Sequence, residues 1–100
     1  MSYELEFKAT ALKEWQKLDH TIREQFKKIL TKRLETPRVS SAQLSSLPDC
    51  YKIKLRNQGY RLVYVVEDDV LVVIVLAIGK RERLAAYEYA LKRLITKRVG

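Results

Sequence analysis

Lys52, Lys54, Arg56 and Arg61 all fall within "YKIKLRNQGYRLVYVV", residues 51 to 66, and no acidic residue lies among them. On an extended chain Lys52, Lys54 and Arg56 share one face, same-face neighbours standing about 7 Å apart, while Tyr51, Ile53 and Leu55 share the other. Asn57, Gln58 and Gly59 turn the chain back, which sets Arg61 of the returning strand across from that row. Like charges at this distance cost stability. The pattern therefore implies an anion supplied from outside, at a spacing that straddles one phosphodiester. A solvated outer face with lysines guarding an exposed strand has the same pattern, and composition alone leaves both readings open.

Other chemistries are poorly supplied. One His and one Cys cannot furnish the three or four convergent ligands of a zinc site. With three glycines in all there is no Gly-rich phosphate loop, so neither a metal nor another cofactor is expected. His20 reads as a solvated residue between two helices, and nothing brings it to Cys50 to form a nucleophilic pair. Trp15 sits on an apolar stripe as a core residue. Glu67, Asp68 and Asp69 read as a solvated hairpin turn, because metal sites draw their ligands from several segments.

The elements that must carry the basic row follow from hydrophobic period. Tyr3, Leu5 and Phe7 alternate with charged residues as a half-buried strand. Leu12, Trp15 and Leu18 then recur at helical spacing. Thr21-Ile22-Arg23-Glu24 has the form of a capping box opening a second helix, whose stripe is Ile22, Phe26, Ile29, Leu30 and Leu34. Thr36-Pro37 ends it, and a polar connection with four serines spans residues 38 to 49. Strands are expected over Tyr51 to Arg56, Tyr60 to Val66 and Val70 to Ile78, and after the Gly79 break a last helix marked by Leu84, Tyr87, Leu91, Leu94 and Ile95. The order is β-α-α-β-β-β-α. It describes an α+β fold: a small, mostly antiparallel four-stranded sheet packed by an N-terminal helical hairpin and a C-terminal helix, with the first strand at an edge beside a neighbour the sequence does not identify.

A chain of 100 residues is expected to form a single domain over residues 1–100. Its net charge of +8 points to a polyanionic partner without naming it. The excess lies in the second half: residues 1 to 36 hold eight basic and six acidic side chains, whereas residues 79 to 100 hold seven and two. A lone Cys50 precludes an intrachain disulfide, and the N-terminus lacks the basic start and apolar run of a secretory signal. The longest apolar run, Val70 to Ile78, is far shorter than the roughly 20 residues of a membrane helix. A cytoplasmic location without membrane association is expected.

Read in order, "ALKEWQKL", "REQFKK", "LPDCYKIKLRNQGYRLVY" and "GKRERLAAYEYALKRL" resemble the RelE family of bacterial toxin-antitoxin toxins over residues 1 to about 95. The resemblance implies a compact fold shared with microbial ribonucleases and an endoribonuclease that enters the ribosomal A site and cuts messenger RNA there. The family's characteristic residues correspond to Lys52, Lys54, Arg61, Arg81 and Tyr87. Near relatives tend to have a basic residue and a glycine where this chain has Ser45-Ser46, a departure expected to weaken a contact to RNA. The tail after Ile95 has no counterpart in the family's known roles.

Metal-free cleavage uses the RNA 2'-hydroxyl as nucleophile and leaves three tasks: accepting its proton, stabilising charge on phosphorus and protonating the leaving 5'-oxygen. Arginine stays protonated, whereas a lysine crowded by cations gains a neutral fraction near pH 7. Lys54, with Lys52, is thus the expected base or its electrostatic substitute, and Arg61 the clamp on the transition state. The resemblance implies that Arg81 neutralises the leaving oxygen and that Tyr87 stacks on a base, although Tyr87 also fits the apolar stripe of its helix. Arg56, Lys80 and Arg83 are expected RNA contacts. Implied partners are the ribosome with its RNA, messenger RNA, a RelB-like antitoxin that covers the basic face and displaces the last helix, and promoter DNA bound only as the toxin-antitoxin complex. Two rivals stand beside this reading: a same-fold toxin of the ParE type acting on DNA gyrase, and a non-catalytic RNA-binding module.

Overall fold

The structure, a computed structural model, describes residues 2–80 together with Ala90, Lys92 and Arg93. Strand β1 (Glu4–Phe7) leads into helices α1 (Ala9–Gln16) and α2 (His20–Glu35); a 3-10 turn (Ser40–Ala42) precedes strands β2 (Cys50–Leu55), β3 (Tyr60–Glu67) and β4 (Val72–Lys80). The four strands form one sheet in the order β1-β4-β3-β2. The β2-β3 and β3-β4 pairs are antiparallel, and β1 lies at the far edge, parallel to β4 with Leu5 beside Val73. Ala90, Lys92 and Arg93 are helical; Arg81, Arg83, Tyr87 and the rest of the expected last helix lie outside the described residues.

Both faces of the sheet are covered, and this is why β3 and β4 read as nearly continuous apolar runs. On one face Tyr51, Ile53, Leu62, Tyr64, Val73 and Val75 meet the stripe of α1 and α2, from Ala11 to Leu30. On the other, Cys50, Val63, Val65 and Ile74 pack with Leu47 and Ala90. Trp15 fills the helix side, its ring 5.3 Å from Phe7 and 6.3 Å from Phe26.

Four local expectations are corrected. Helix α2 begins at His20, with Asp19 in extended conformation as its N-cap and the Arg23 amide donating to the Asp19 carbonyl. Thr21 therefore lies inside the first turn and is no cap, and Glu24 pairs with Lys27 at 3.1 Å. Leu12 is 40% exposed, and Ala11 faces the core in its place. Strand β4 starts at Val72 because the hairpin turn runs on through Val70 and Leu71, the latter in left-handed conformation at φ 55°. Asp68 anchors that turn, accepting from Arg38 at 2.6 Å and from the Tyr3 hydroxyl at 2.6 Å, so the acidic triplet is more than a solvated bend. Arg38 also reaches Asp49 and the Tyr51 hydroxyl, which ties the long polar connection to the start of β2. Arg38, bonded first to Asp68, is held firmly protonated.

Candidate functional site

Alternation along β2 settles the basic row. Tyr51, Ile53 and Leu55 are buried under α2, which forces Lys52 and Lys54 onto the opposite face, where both are half-buried. The register places Lys54 directly across from Arg61, and Arg61 in turn beside Gly79 of β4. A lysine and an arginine thus stand side by side next to a position without a side chain, which leaves room above the sheet. Arg56 follows the end of β2 and is exposed. The four-residue connection to β3 closes through Gly59, whose amide donates to the Leu55 carbonyl at 2.8 Å. Its φ of +72° is what demands glycine there, since an added Cβ would meet nothing within 4 Å.

Two cavities flank this row. One of about 110 Å³ is lined by Lys54, Leu55, Arg56, Tyr60 and Arg61. The other, about 270 Å³, lies along the outer edge of β2 and is lined by Arg33, Ser41, Ala42, Lys52, Lys54 and Arg56. Among the described residues no carboxylate lines either cavity, and none pairs with Arg33, Lys52 or Arg56. A phosphate group fits such surroundings by charge and by donor chemistry.

Lys80 stands apart from this group. It is registered opposite Tyr60, with its Nζ 5.9 Å from that ring, on the side of the sheet that Leu55 faces. Lys52, Lys54, Arg61 and Arg56 are brought together; the placement of Arg81, Arg83 and Tyr87 lies outside the described residues. Ser45 and Ser46 are exposed on the connection before β2, and Cys50 is fully buried. His20 is exposed at the start of α2.

Arg33 was not found from sequence. From the polar side of α2 its Nη1 donates to the Lys52 carbonyl at 3.2 Å and to the Tyr64 hydroxyl at 2.8 Å. The Tyr64 hydroxyl in turn donates to the Pro37 carbonyl at 2.7 Å, and its ring stacks on Tyr51 with centroids 5.7 Å apart. Burial raises the Tyr64 phenol above its ordinary value, with the Arg33 charge pulling the other way. No periodicity signals this arrangement, because it joins a helix to a strand edge that is distant in the chain.

A second long-range group ties Arg93 to the edge of the sheet. Strand β1 ends at Phe7, and a bulge at Leu76 shifts the β3-β4 register between Val63 and Tyr64. Beyond β1 the exposed edge of β4 is completed by side chains. Glu14 of α1 accepts from the Ile78 amide at 3.1 Å, and Arg93 donates to the Leu76 carbonyl at 2.8 Å and to Glu14 at 2.9 Å. Ala90 is fully buried on the face that carries the basic row.

Comparison with known proteins agrees with this architecture. The family model described as the ParE toxin of the type II toxin-antitoxin system, parDE, matches residues 5–85. The chain is 55% identical over 95 residues to the mRNA interferase toxin RelE of Escherichia coli strain K12, covering 95% of this chain and 100% of that one. Among solved structures it is similar to a doubly substituted variant of the Escherichia coli toxin RelE in the free state. That match has a TM-score of 0.87 and 54% identity over 93% of this chain and 98% of the other. It is also similar to the toxin in the intact Escherichia coli RelBE toxin-antitoxin complex, with a TM-score of 0.79 and 56% identity over 82% of this chain and 100% of the other.

Proposed function

The chain belongs to the ParE toxin family of type II toxin-antitoxin systems, as a RelE-like toxin, and from that premise we infer that it is an mRNA interferase, an endoribonuclease that inhibits translation. The observation that carries this reading is the Lys54-Arg61 pair, flanked by Lys52, Arg56 and the bare Gly79, on one face of the sheet. The reading extends over the whole chain, residues 1–100, as one toxin domain in the cytoplasm. Among the described residues no helix is long and apolar enough to cross a membrane.

In the proposed reaction the 2'-oxygen attacks the adjacent phosphorus, the bond from phosphorus to the 5'-oxygen breaks, and a cyclic phosphate and a free 5'-hydroxyl result. Lys54, with Lys52 beside it, accepts or offsets the proton of the attacking hydroxyl. Arg61 bonds the non-bridging oxygens as charge builds on phosphorus. Arg81 neutralises the charge on the leaving 5'-oxygen, which takes its proton from solvent, and Tyr87 stacks on a base of the messenger. A site without a matched acid and base gains most from orientation, which the ribosomal A site supplies. Arg56 adds a contact to RNA phosphates beside the basic row, and Arg83 and, on the other side of the sheet, Lys80 contact phosphates of ribosomal RNA. No metal or cofactor has a step here.

A RelB-like antitoxin restrains the activity, as the toxin-antitoxin complexes of relatives suggest, and the paired complex, unlike the toxin alone, binds promoter DNA. The test is incubation with programmed ribosomes carrying a defined A-site codon, followed by primer extension, for the native chain and for Arg61→Ala and Arg81→Ala. Cuts positioned by the codon are expected, reduced roughly 100-fold or more in each variant. Ribosome binding with an intact messenger would overturn the nuclease in favour of an RNA-binding module. An effect confined to DNA supercoiling would turn it toward gyrase.

A further inference from the structure

Arg33 is anchored differently from Arg38 and Arg93. Those two are neutralised by carboxylates, Asp49 and Asp68 in one case and Glu14 in the other. Half-buried Arg33 instead gives its Nη1 to two neutral oxygens and meets no carboxylate among the described residues. Drawing a guanidinium out of water without a counter-ion is costly, and its position 5.8 Å from the centre of the Tyr64 ring recovers only part of that. The two bonds fix the group at the outer edge of β2, where it lines the 270 Å³ cavity with Ser41, Lys52, Lys54 and Arg56. Lys54 and Arg56 also line the smaller cavity that holds Arg61. The two cavities therefore share a wall. Lys52 and Lys54, one step apart on the same strand face, are separated by about 7 Å, the order of the distance between successive phosphates of an RNA strand.

We propose that the Arg33 cavity is a second phosphate subsite, which seats the backbone phosphate next to the scissile one. Arg33, the Ser41 hydroxyl and Lys52 hold it, while Lys54 and Arg56 bridge to the cavity of Arg61. The subsite rests on the ribonuclease reading and specifies how the substrate strand is held. Acidic side chains of a protein would also answer these charges. A nucleic-acid strand fits better, because its evenly spaced charges fill both adjoining cavities in one pass.

The test uses a short single-stranded RNA made uncleavable by a deoxyribose at the cleavage position, bound to the free protein and followed by fluorescence anisotropy at several salt concentrations. Two further RNAs carry a neutral methylphosphonate on one or the other side of the scissile phosphate. Arg33→Gln is expected to weaken binding roughly tenfold, the effect of one lost charged contact, and to flatten the salt slope by about 0.7. One of the two methylphosphonates is expected to weaken the native protein and to have no further effect in Arg33→Gln. Ser41→Asp, which leaves the Arg33 bonds to Lys52 and Tyr64 in place, should weaken binding at least as much, so the test survives if Arg33→Gln folds poorly. An unchanged salt slope with additive methylphosphonate losses would overturn the subsite. So would weaker antitoxin binding with unaltered RNA binding, which would assign the cavity to an acidic peptide. Because no cleavage is measured, failure of the chain to cut messenger on ribosomes would remove the nuclease reading and leave this binding result standing.

Discussion

Lys54 and Arg61 are cross-strand partners, yet their chemistry divides sharply. A guanidinium is permanently charged, whereas an ammonium can give up its proton when its surroundings favour the neutral form. Lys54→Arg therefore separates charge from proton transfer. We expect the variant to bind programmed ribosomes within about threefold of the native affinity, the charge count being unchanged. Its single-turnover cleavage should fall by roughly 100-fold or more, the usual contribution of a positioned base. Equal loss of binding and cleavage would make Lys54 an electrostatic contact only. This pair was legible in the sequence because strand alternation fixes which face Lys52 and Lys54 occupy, and the short turn at Gly59 fixes what faces them. Arg33 was not legible. Its place depends on α2 crossing the free edge of β2 and on the Tyr64 hydroxyl, and neither contact leaves a spacing in the chain.

Where β1 stops short of the end of β4, Glu14 and Arg93 substitute for a missing strand: Glu14 accepts from the Ile78 amide and Arg93 donates to the Leu76 carbonyl. Removing Glu14 leaves an amide and a guanidinium with lost partners in a part-buried setting. Glu14→Ala is expected to lower unfolding stability by about 1–3 kcal/mol, and Glu14→Gln, which keeps one acceptor, by less. Urea titration of both variants measures this, and equal losses would deny Glu14 a role as acceptor. Hydrophobic period located the described strands and the two N-terminal helices, because burial dictates it, and missed the short 3-10 turn at Ser40–Ala42. The bulge at Leu76 escaped it, since both faces of β4 are apolar and an extra apolar residue does not disturb an unbroken run. The capping-box pattern at Thr21 misled because Asp19, two residues earlier, already had the extended backbone of a helix start.

The molecule as a whole carries +8, so its compact state works against its own charge and depends on interactions that titrate at the two ends of the pH range. On the acid side, bonding to Arg38 and then to Tyr3 holds Asp68 below the usual carboxylate range, and bonding to Lys27 does the same for Glu24. Unfolded Asp and Glu titrate near pH 4, so this stabilisation is complete above that pH and is lost as pH falls through the lower folded values. On the alkaline side the Tyr64 phenol is raised by burial and that of Tyr3 by its bond to Asp68. Unfolded tyrosine ionises near pH 10; the contribution is complete below that pH and is lost as pH climbs through the higher folded values. Urea midpoints measured across the range should form a plateau that falls at both ends. Tyr64→Phe is expected to lower the plateau by about 1–2 kcal/mol, through the bonds lost at Pro37 and Arg33, and to make the alkaline fall gentler. Asp68→Asn should make the acid fall gentler and leave the Tyr64 part of the alkaline limb in place. If the acid limb keeps its steepness in Asp68→Asn, acid sensitivity comes from the general accumulation of positive charge, and the Arg38-Asp68-Tyr3 group contributes nothing measurable to it.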